Sequence, residues 1–258
     1  MIAILETILL GILQGLTEFI PVSSSAHLII VPWFFGWGDP AANSLAFDVA
    51  LHLGTLVAVL WFFYADWLRL IRGGIASLRE RKIGDHPDRR LAWLLVIGCV
   101  PGAIAGALAE NQVEALFHRP DQPHQPAAMI GIAVMLAGAG AALLLADRLA
   151  RHQRGLNSLG IKDALIIGCA QALALFPGVS RSGATITAGL ALGLERPAAA
   201  RFSFLLSAPI VAGAGLKSLW DVLQELQTGA MAPSDLIFFV VGFLAAAISG
   251  YLCIRFLL

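Results

Sequence analysis

Five stretches of this chain, roughly 46–65, 91–109, 127–146, 200–220 and 235–257, are apolar for long enough to cross a bilayer, which takes about 20 residues as a helix. In lipid the backbone has no water to bond, so such runs fold as helices that satisfy their own amides. Composition agrees. Of the 258 residues, 58% are hydrophobic and 13% charged, against roughly 25% charged in a soluble domain. That is too little charge to cover a water-facing surface, and the expected fold class is all-α, a polytopic membrane protein. Lys plus Arg and Asp plus Glu balance at 17 each, so no basic field points to nucleic acid. Cys99, Cys169 and Cys253 lie far apart in apolar runs without metal-ligand spacing and read as small packing residues. The opening M-I-A-I-L-E-T carries no positive region, so a cleaved signal peptide is not expected.

Two further apolar regions, 2–36 and 163–194, are interrupted by one phrase written twice. The first copy is Q-G-L-T-E-F-I-P-V-S-S-S-A-H (14–27) and the second Q-A-L-A-L-F-P-G-V-S-R-S-G-A (171–184). With Gln14 laid on Gln171, Val22 falls on Val179, Ser23 on Ser180 and Ser25 on Ser182. Proline stops a helix and a serine at the N-cap starts the next, so each region is expected to form a re-entrant hairpin of two short helices. Broken apolar segments at matching places in two halves are the best sequence pointer to a membrane-protein binding site. The chain then divides into a first repeat, 1–126, a connecting span and loop, 127–162, and a second repeat, 163–258.

Basic residues in short loops orient the spans. Loop 66–90 holds Arg69, Arg72, Arg79, Arg81, Lys82, Arg89 and Arg90, and loop 147–162 holds Arg148, Arg151, Arg154 and Lys162; both are expected in the cytoplasm. Loop 110–126 and segment 221–234 are poor in Lys and Arg and are expected outside. On this map the two hairpins enter from opposite faces, their serine-rich tips meeting near the midplane as inverted-topology repeats. Two hairpins plus about five to six transmembrane helices result.

Glu18 lies inside an apolar run four residues after Gln14, so both share one helix face. A carboxylate there is costly and a functional candidate by default. His27 follows the serines by one turn; His52 is the weaker histidine, readable as helix packing, and His86, His118, His124 and His152 lie in polar loops. Ser23, Ser24 and Ser25 can be caps, nucleophiles or anion ligands. Arg181 keeps its charge and needs an anionic partner, either a carboxylate such as Glu18 or a phosphate. Helix N-termini, the hydroxyls of Ser180, Ser182, Thr185 and Thr187 and a guanidinium together describe an anion site. A Glu and a Gln beside a phosphate also suit a hard divalent cation. The residues alone leave hydrolysis and transport both open.

The two phrases, Q-G-L-T-E-F-I-P-V-S-S-S-A-H (14–27) and P-G-V-S-R-S-G-A-T (177–185), with P-x-x-x-A-R-F-S-F-L-L-S-A-P (197–209) behind them, resemble the bacitracin-resistance family of undecaprenyl-diphosphate phosphatases. The resemblance implies removal of the terminal phosphate from undecaprenyl diphosphate, which recycles the lipid carrier for peptidoglycan synthesis. It implies dependence on Mg2+ or Ca2+ and a site opening on the outer face of the bacterial inner membrane. Position by position, it assigns Gln14 and Glu18 to metal and diphosphate, His27 to the essential histidine, Ser23 and Ser24 to the serine pair, and Arg181 to holding phosphate. Many members have Glu where this chain has Gln14, which implies a more weakly held metal. Members usually continue into a further apolar span, whereas this sequence stops at Leu258.

The expected partners are a polyprenyl diphosphate lipid and the bilayer, with no nucleic acid; a homodimer is compatible with the sequence. On this reading Glu18, His27, Ser24 and Arg181 are catalytic. Gln14, Ser23, Ser25, Ser180, Ser182 and Thr185 bind substrate, with Glu18 and Gln14 on the metal. His27 is the general base, acting on Ser24 or on water. The main alternative is a transporter or flippase of a phosphorylated lipid or anion, with Glu18 and His27 as a proton-coupling pair. An acid-phosphatase-type lipid phosphatase is disfavoured, because no S-R-x5-H-x3-D follows Ser180-Arg181.

Overall fold

The protein is described by a computed structural model covering residues 2–37, 44–84, 86–117, 126–228 and 236–258. Ten α-helices follow one another among the described residues: α1 (Ile2–Thr17), α2 (Ser24–Phe35), α3 (Leu45–Phe62), α4 (Tyr64–Glu80), α5 (Pro87–Phe117), α6 (Pro126–Leu149), α7 (Ile161–Ala172), α8 (Arg181–Ala191), α9 (Arg196–Thr228) and α10 (Leu236–Leu257). No strand occurs among the described residues, only an isolated bridge between Arg154 and Leu194. Four helices are long and apolar enough to cross a membrane, within Pro87–Ala109, Met129–Leu149, Arg196–Leu216 and Leu236–Leu257; α3 taken with α4 supplies a broken fifth. This is the all-α, multi-pass architecture the apolar runs require.

Both interrupted regions are helix–break–helix. The first breaks between α1 and α2, the second between α7 and α8, where a 3-10 turn at Leu173–Leu175 precedes the gap. Each pair of short helices packs together. One expectation changes. Residues 66–90 are not a loop, because α4 occupies Tyr64–Glu80 and α5 starts at Pro87. Arg69, Arg72 and Arg79 interrupt its apolar residues, so a search for continuous apolar runs passes over it, although Ile71, Ile75 and Leu78 give it an apolar face. Likewise α5 reaches Phe117 and α9 reaches Thr228, well into segments read as loops. His118 and His124 lie outside the described residues.

The chain forms two compact units, one of Met1–Phe62 with Ser207–Leu257 and one of Phe63–Leu206. In the first, α10 packs against both α1 and α3. Glycine permits the approach: a Cβ on Gly15 would stand 1.9 Å from Ser249 Oγ and 2.6 Å from the Gly250 nitrogen. Without water to drive helices together, close backbone packing through small residues is what associates them in lipid. Leu10, Leu28, Phe47, Leu51, Phe239 and Ala246 fill the remaining core, with Phe47 edge-on to Phe239 at 5.9 Å. The outward face of α1 is the reverse of a soluble helix. Leu5, Leu9, Ile12 and Leu16 are exposed while Thr7, Gln14 and Thr17 are buried, so the apolar stripe faces lipid and the polar side chains face protein.

In the second unit α5 packs on α7 and α4, and α6 on α8. Gly98 and Gly168 are the crossing point of α5 and α7, where a Cβ on Gly168 would lie 2.3 Å from the Gly98 carbonyl oxygen. Trp93 donates its indole N–H to Ser77 Oγ at 2.8 Å, fastening α5 to α4. Arg154 holds Asp163 with two hydrogen bonds of 3.1 and 2.6 Å, fixing the start of α7. That pairing, the largest influence on it, keeps the Asp163 carboxyl below the usual carboxylate range.

Candidate active site

The first repeated phrase supplies a carboxylate, hydroxyls and one imidazole, and α3 of the same unit brings a second imidazole. Helix α1 ends at Thr17, the chain turns through Pro21, and Ser23 starts α2. Ser23 has φ 67° and ψ 95°, a conformation that costs a non-glycine residue on the order of 1–3 kcal/mol and tends to occur at functional sites. Its hydroxyl accepts from the Ala26 amide at 3.4 Å and lies 3.4 Å from Ser25 Oγ. The turn brings Ser24 back over the end of α1, where its Oγ–H donates to Glu18 Oε2 at 2.7 Å. Gln14 Nε2 donates to the same oxygen at 3.1 Å. Glu18 is only 7% exposed, so these donors replace the water it gave up.

Both histidines have their tautomer set by the backbone. His27 Nδ1 is 2.8 Å from the Ser23 carbonyl and His52 Nδ1 is 2.7 Å from the Asp48 carbonyl. A carbonyl only accepts, so each Nδ1 carries a proton, and in a neutral ring Nε2 is then the nitrogen with the lone pair. His27 Nε2 makes no hydrogen bond to a described residue. His52 Nε2 stands 3.7 Å from Glu18 Oε2. The weaker histidine of the sequence thus joins the carboxylate. Its signal was Asp48 and His52, two ionisable residues one turn apart in a helix that is otherwise apolar apart from Thr55.

The residues present fit a hard cation. Among the described residues no three His, Cys, Asp or Glu side chains group as a metal cage. Gln14 Oε1, however, is buried without a partner beside the Glu18 carboxylate. Magnesium usually takes one or two carboxylates and completes its shell with water and substrate phosphates. One carboxylate and one amide oxygen are donors of that kind.

The second phrase builds a serine-capped turn within the second unit. Gly178 has φ 98°, and a Cβ there would lie 2.6 Å from the Ile132 carbonyl oxygen. Glycine is therefore required for the turn to pass α6. Ser180 caps α8, accepting from Gly183 N at 3.0 Å, and lies 3.1 Å from Ser182 Oγ. Thr185 is spent inside the unit, on Ser203 Oγ at 2.6 Å and the Arg181 carbonyl at 2.8 Å. Arg181 opens α8, half-buried, where the helix end adds its own positive potential. Gln171, the counterpart of Gln14, is 4% exposed and neither of its amide atoms finds a partner. It lies against Gly102 of α5, whose Cβ would stand 3.0 Å from Gln171 Nε2.

A sequence model of one family, described as bacitracin resistance protein BacA, matches residues 7–258. The chain belongs to the BacA family. Among curated relatives, an undecaprenyl-diphosphatase of Moorella thermoacetica is 46% identical over 256 residues, covering 99% of this chain and 88% of the relative. One from Rubrobacter xylanophilus is 47% identical, covering 99% and 89%. One from Thermomicrobium roseum is 46% identical, covering 98% and 88%. Both repeated phrases of this BacA-family chain lie wholly inside the residues the family model matches.

Proposed function

We propose that the protein hydrolyses undecaprenyl diphosphate to undecaprenyl phosphate and inorganic phosphate, returning the lipid carrier to peptidoglycan synthesis. Similarity to curated undecaprenyl-diphosphatases along nearly the whole chain supports the activity. The observation that carries the chemistry is the 2.7 Å hydrogen bond from Ser24 to the buried Glu18. It is a hydroxyl paired with a base at the strained turn between two short helices.

In the proposed reaction Ser24 Oγ attacks the terminal phosphorus, passing its proton to Glu18, and the bond to the bridging oxygen breaks as undecaprenyl phosphate leaves. Water then attacks the phosphoserine, giving a proton to His27 Nε2. The Oγ–P bond breaks, Ser24 recovers its proton from Glu18, and His27 gives its proton to solvent as inorganic phosphate leaves. Arg181 binds phosphate oxygens with a charge that does not titrate. Little covalent help is needed beyond this, because positioning and charge stabilisation dominate phosphoryl transfer. A bound Mg2+ or Ca2+, held by Glu18 and Gln14, would shield the charge of the diphosphate. We place the protein in the bacterial inner membrane with this site open to the periplasm, where the loop charges put the outer face.

Phosphate release from undecaprenyl diphosphate by protein in detergent, with magnesium, with calcium and with chelator, tests the activity and the metal together. Release that stops with chelator is expected. No release from folded protein under any of the three conditions would remove the hydrolase reading. For the covalent route, His27→Ala should slow the second step and accumulate phosphate on Ser24, read by mass spectrometry. A turning-over His27→Ala enzyme with no phosphoserine at any time would replace it by direct attack of water.

A further inference from the structure

The second unit has an amphiphilic cleft that none of the chemistry above uses. A volume of about 680 Å³ lies between the start of α5 and the start of α7, walled by Ile83, Trp93, Leu94, Ile97 and Ile161 and edged by Arg90 and Lys162. It adjoins a smaller cleft of about 250 Å³ that shares Arg90 and Leu94. None of these residues belongs to either repeated phrase.

Its charge is unbalanced toward positive. Asp163, the carboxylate in its wall, is already held by Arg154 through bonds of 3.1 and 2.6 Å. Nearby Glu80 is likewise held by Arg89 at 2.6 and 3.0 Å. Arg90 is tied to the Leu159 carbonyl at 2.7 Å, which fixes the guanidinium in place without neutralising it. Lys162 is exposed and makes no ion pair or hydrogen bond with a described residue. It also stands in the first turn of α7, where the helix dipole disfavours a cation. Asp163 already accepts from the Gly160 amide at the start of α7, so an anion bound there would answer Lys162 and Arg90. The apolar part is equally without a partner in the chain: Ile83 and Ile161 are exposed at 45% and 60%. Trp93, its N–H engaged by Ser77, presents a fixed aromatic wall of the kind that sits at headgroup level.

We infer that this cleft binds an anionic glycerophospholipid, its headgroup phosphate on Lys162 and Arg90 and an acyl chain along Trp93, Leu94 and Ile97. Basic pockets between helices on the cytoplasmic side are the kind of site that selects such lipids, and the arginine-rich segments on either side place this one in that leaflet. Free phosphate shares the headgroup chemistry but leaves the apolar wall uncovered.

Native mass spectrometry of the full chain in detergent, with dioleoyl-phosphatidylglycerol, dioleoyl-phosphatidylcholine or sodium phosphate added, tests the site. Phosphatidylglycerol is expected to be retained several-fold better than phosphatidylcholine. Lys162→Ala should weaken that retention about fivefold and Lys162→Glu further, with Lys162→Arg close to the original. Phosphate release in lipid-free detergent should be the same for all four proteins, which separates loss of the lipid site from loss of fold. Equal retention of the two lipids, or unchanged retention in Lys162→Glu, overturns the proposal. So does inorganic phosphate displacing phosphatidylglycerol at millimolar concentration, which would make the site one for free anions. Undecaprenyl phosphate outcompeting phosphatidylglycerol would also overturn it, making the cleft a product site.

Discussion

Glu18 is buried with Ser24, Gln14 and His52 all directed at one carboxylate, so removing it leaves two donors without their acceptor. Glu18→Ala and Ser24→Ala should each lower phosphate release by about 10²–10⁴-fold, the usual worth of a group that moves a proton in the transition state. Residual rates within about threefold of the unsubstituted protein would disqualify the pair. Gln171 is predicted to behave in the opposite sense. Its two unpartnered buried amide atoms are a standing cost, on the order of 1–3 kcal/mol for an unsatisfied group. Gln171→Leu, close in size, should raise the thermal midpoint in detergent. A fall would show that something outside the chain satisfies the amide. The cap serines and Thr185 make bonds within the chain that their residue type alone does not disclose. A hydroxyl in a broken helix is as useful for satisfying a helix end as for binding substrate, and only geometry shows which use it has.

At the level of elements, the two copies of the phrase share their break and divide their chemistry. Where the first has Glu18, Ser24 and His27, the second has Leu175, Arg181 and Ala184. One break therefore carries a carboxylate, a hydroxyl and an imidazole, and the other a permanent cation. The helices around the first break depend on close backbone contact, with the Gly15 position closed to any side chain by Ser249 and the Gly250 backbone. Gly15→Leu should prevent assembly of α1 on α10, read as loss of a monodisperse peak on size exclusion in detergent; a well-behaved, active Gly15→Leu protein would contradict that packing. The Arg154–Asp163 pair anchors α7 in a pH-dependent way. Arg154 depresses the folded-state pKa of Asp163, so its contribution is fully present above the unfolded value, about 3.9. It is lost as pH falls through the folded value. Asp163→Asn should lower the thermal midpoint by a few degrees at pH 7, with the gap narrowing as pH falls below about 3.9. A constant gap across that range would assign the effect to something other than ionisation.

For the molecule as a whole, the expected crossings rest on apolar length and the expected sidedness on arginine placement, both features a bilayer responds to. With Cys99, Cys169 and Cys253 replaced by alanine, a cysteine at Lys82 should resist a membrane-impermeant thiol reagent added outside intact cells and react once they are permeabilised. Labelling in intact cells would reverse the topology. The sequence by itself also determined the two broken helices, because proline and N-cap serines act locally within a few residues. It marked Gln14, Glu18, Ser24 and His27 as one neighbourhood for the same reason. It did not determine α4, whose charges hide a helix from any measure of continuous apolarity. Nor did it reveal that His52, on another helix, reaches Glu18, that Ser24 rather than His27 holds the carboxylate, or that Thr185 is spent on Ser203. Those facts depend on how helices cross. Glycines decide the crossings by letting backbones touch, and a pattern read along one chain carries no distance between elements.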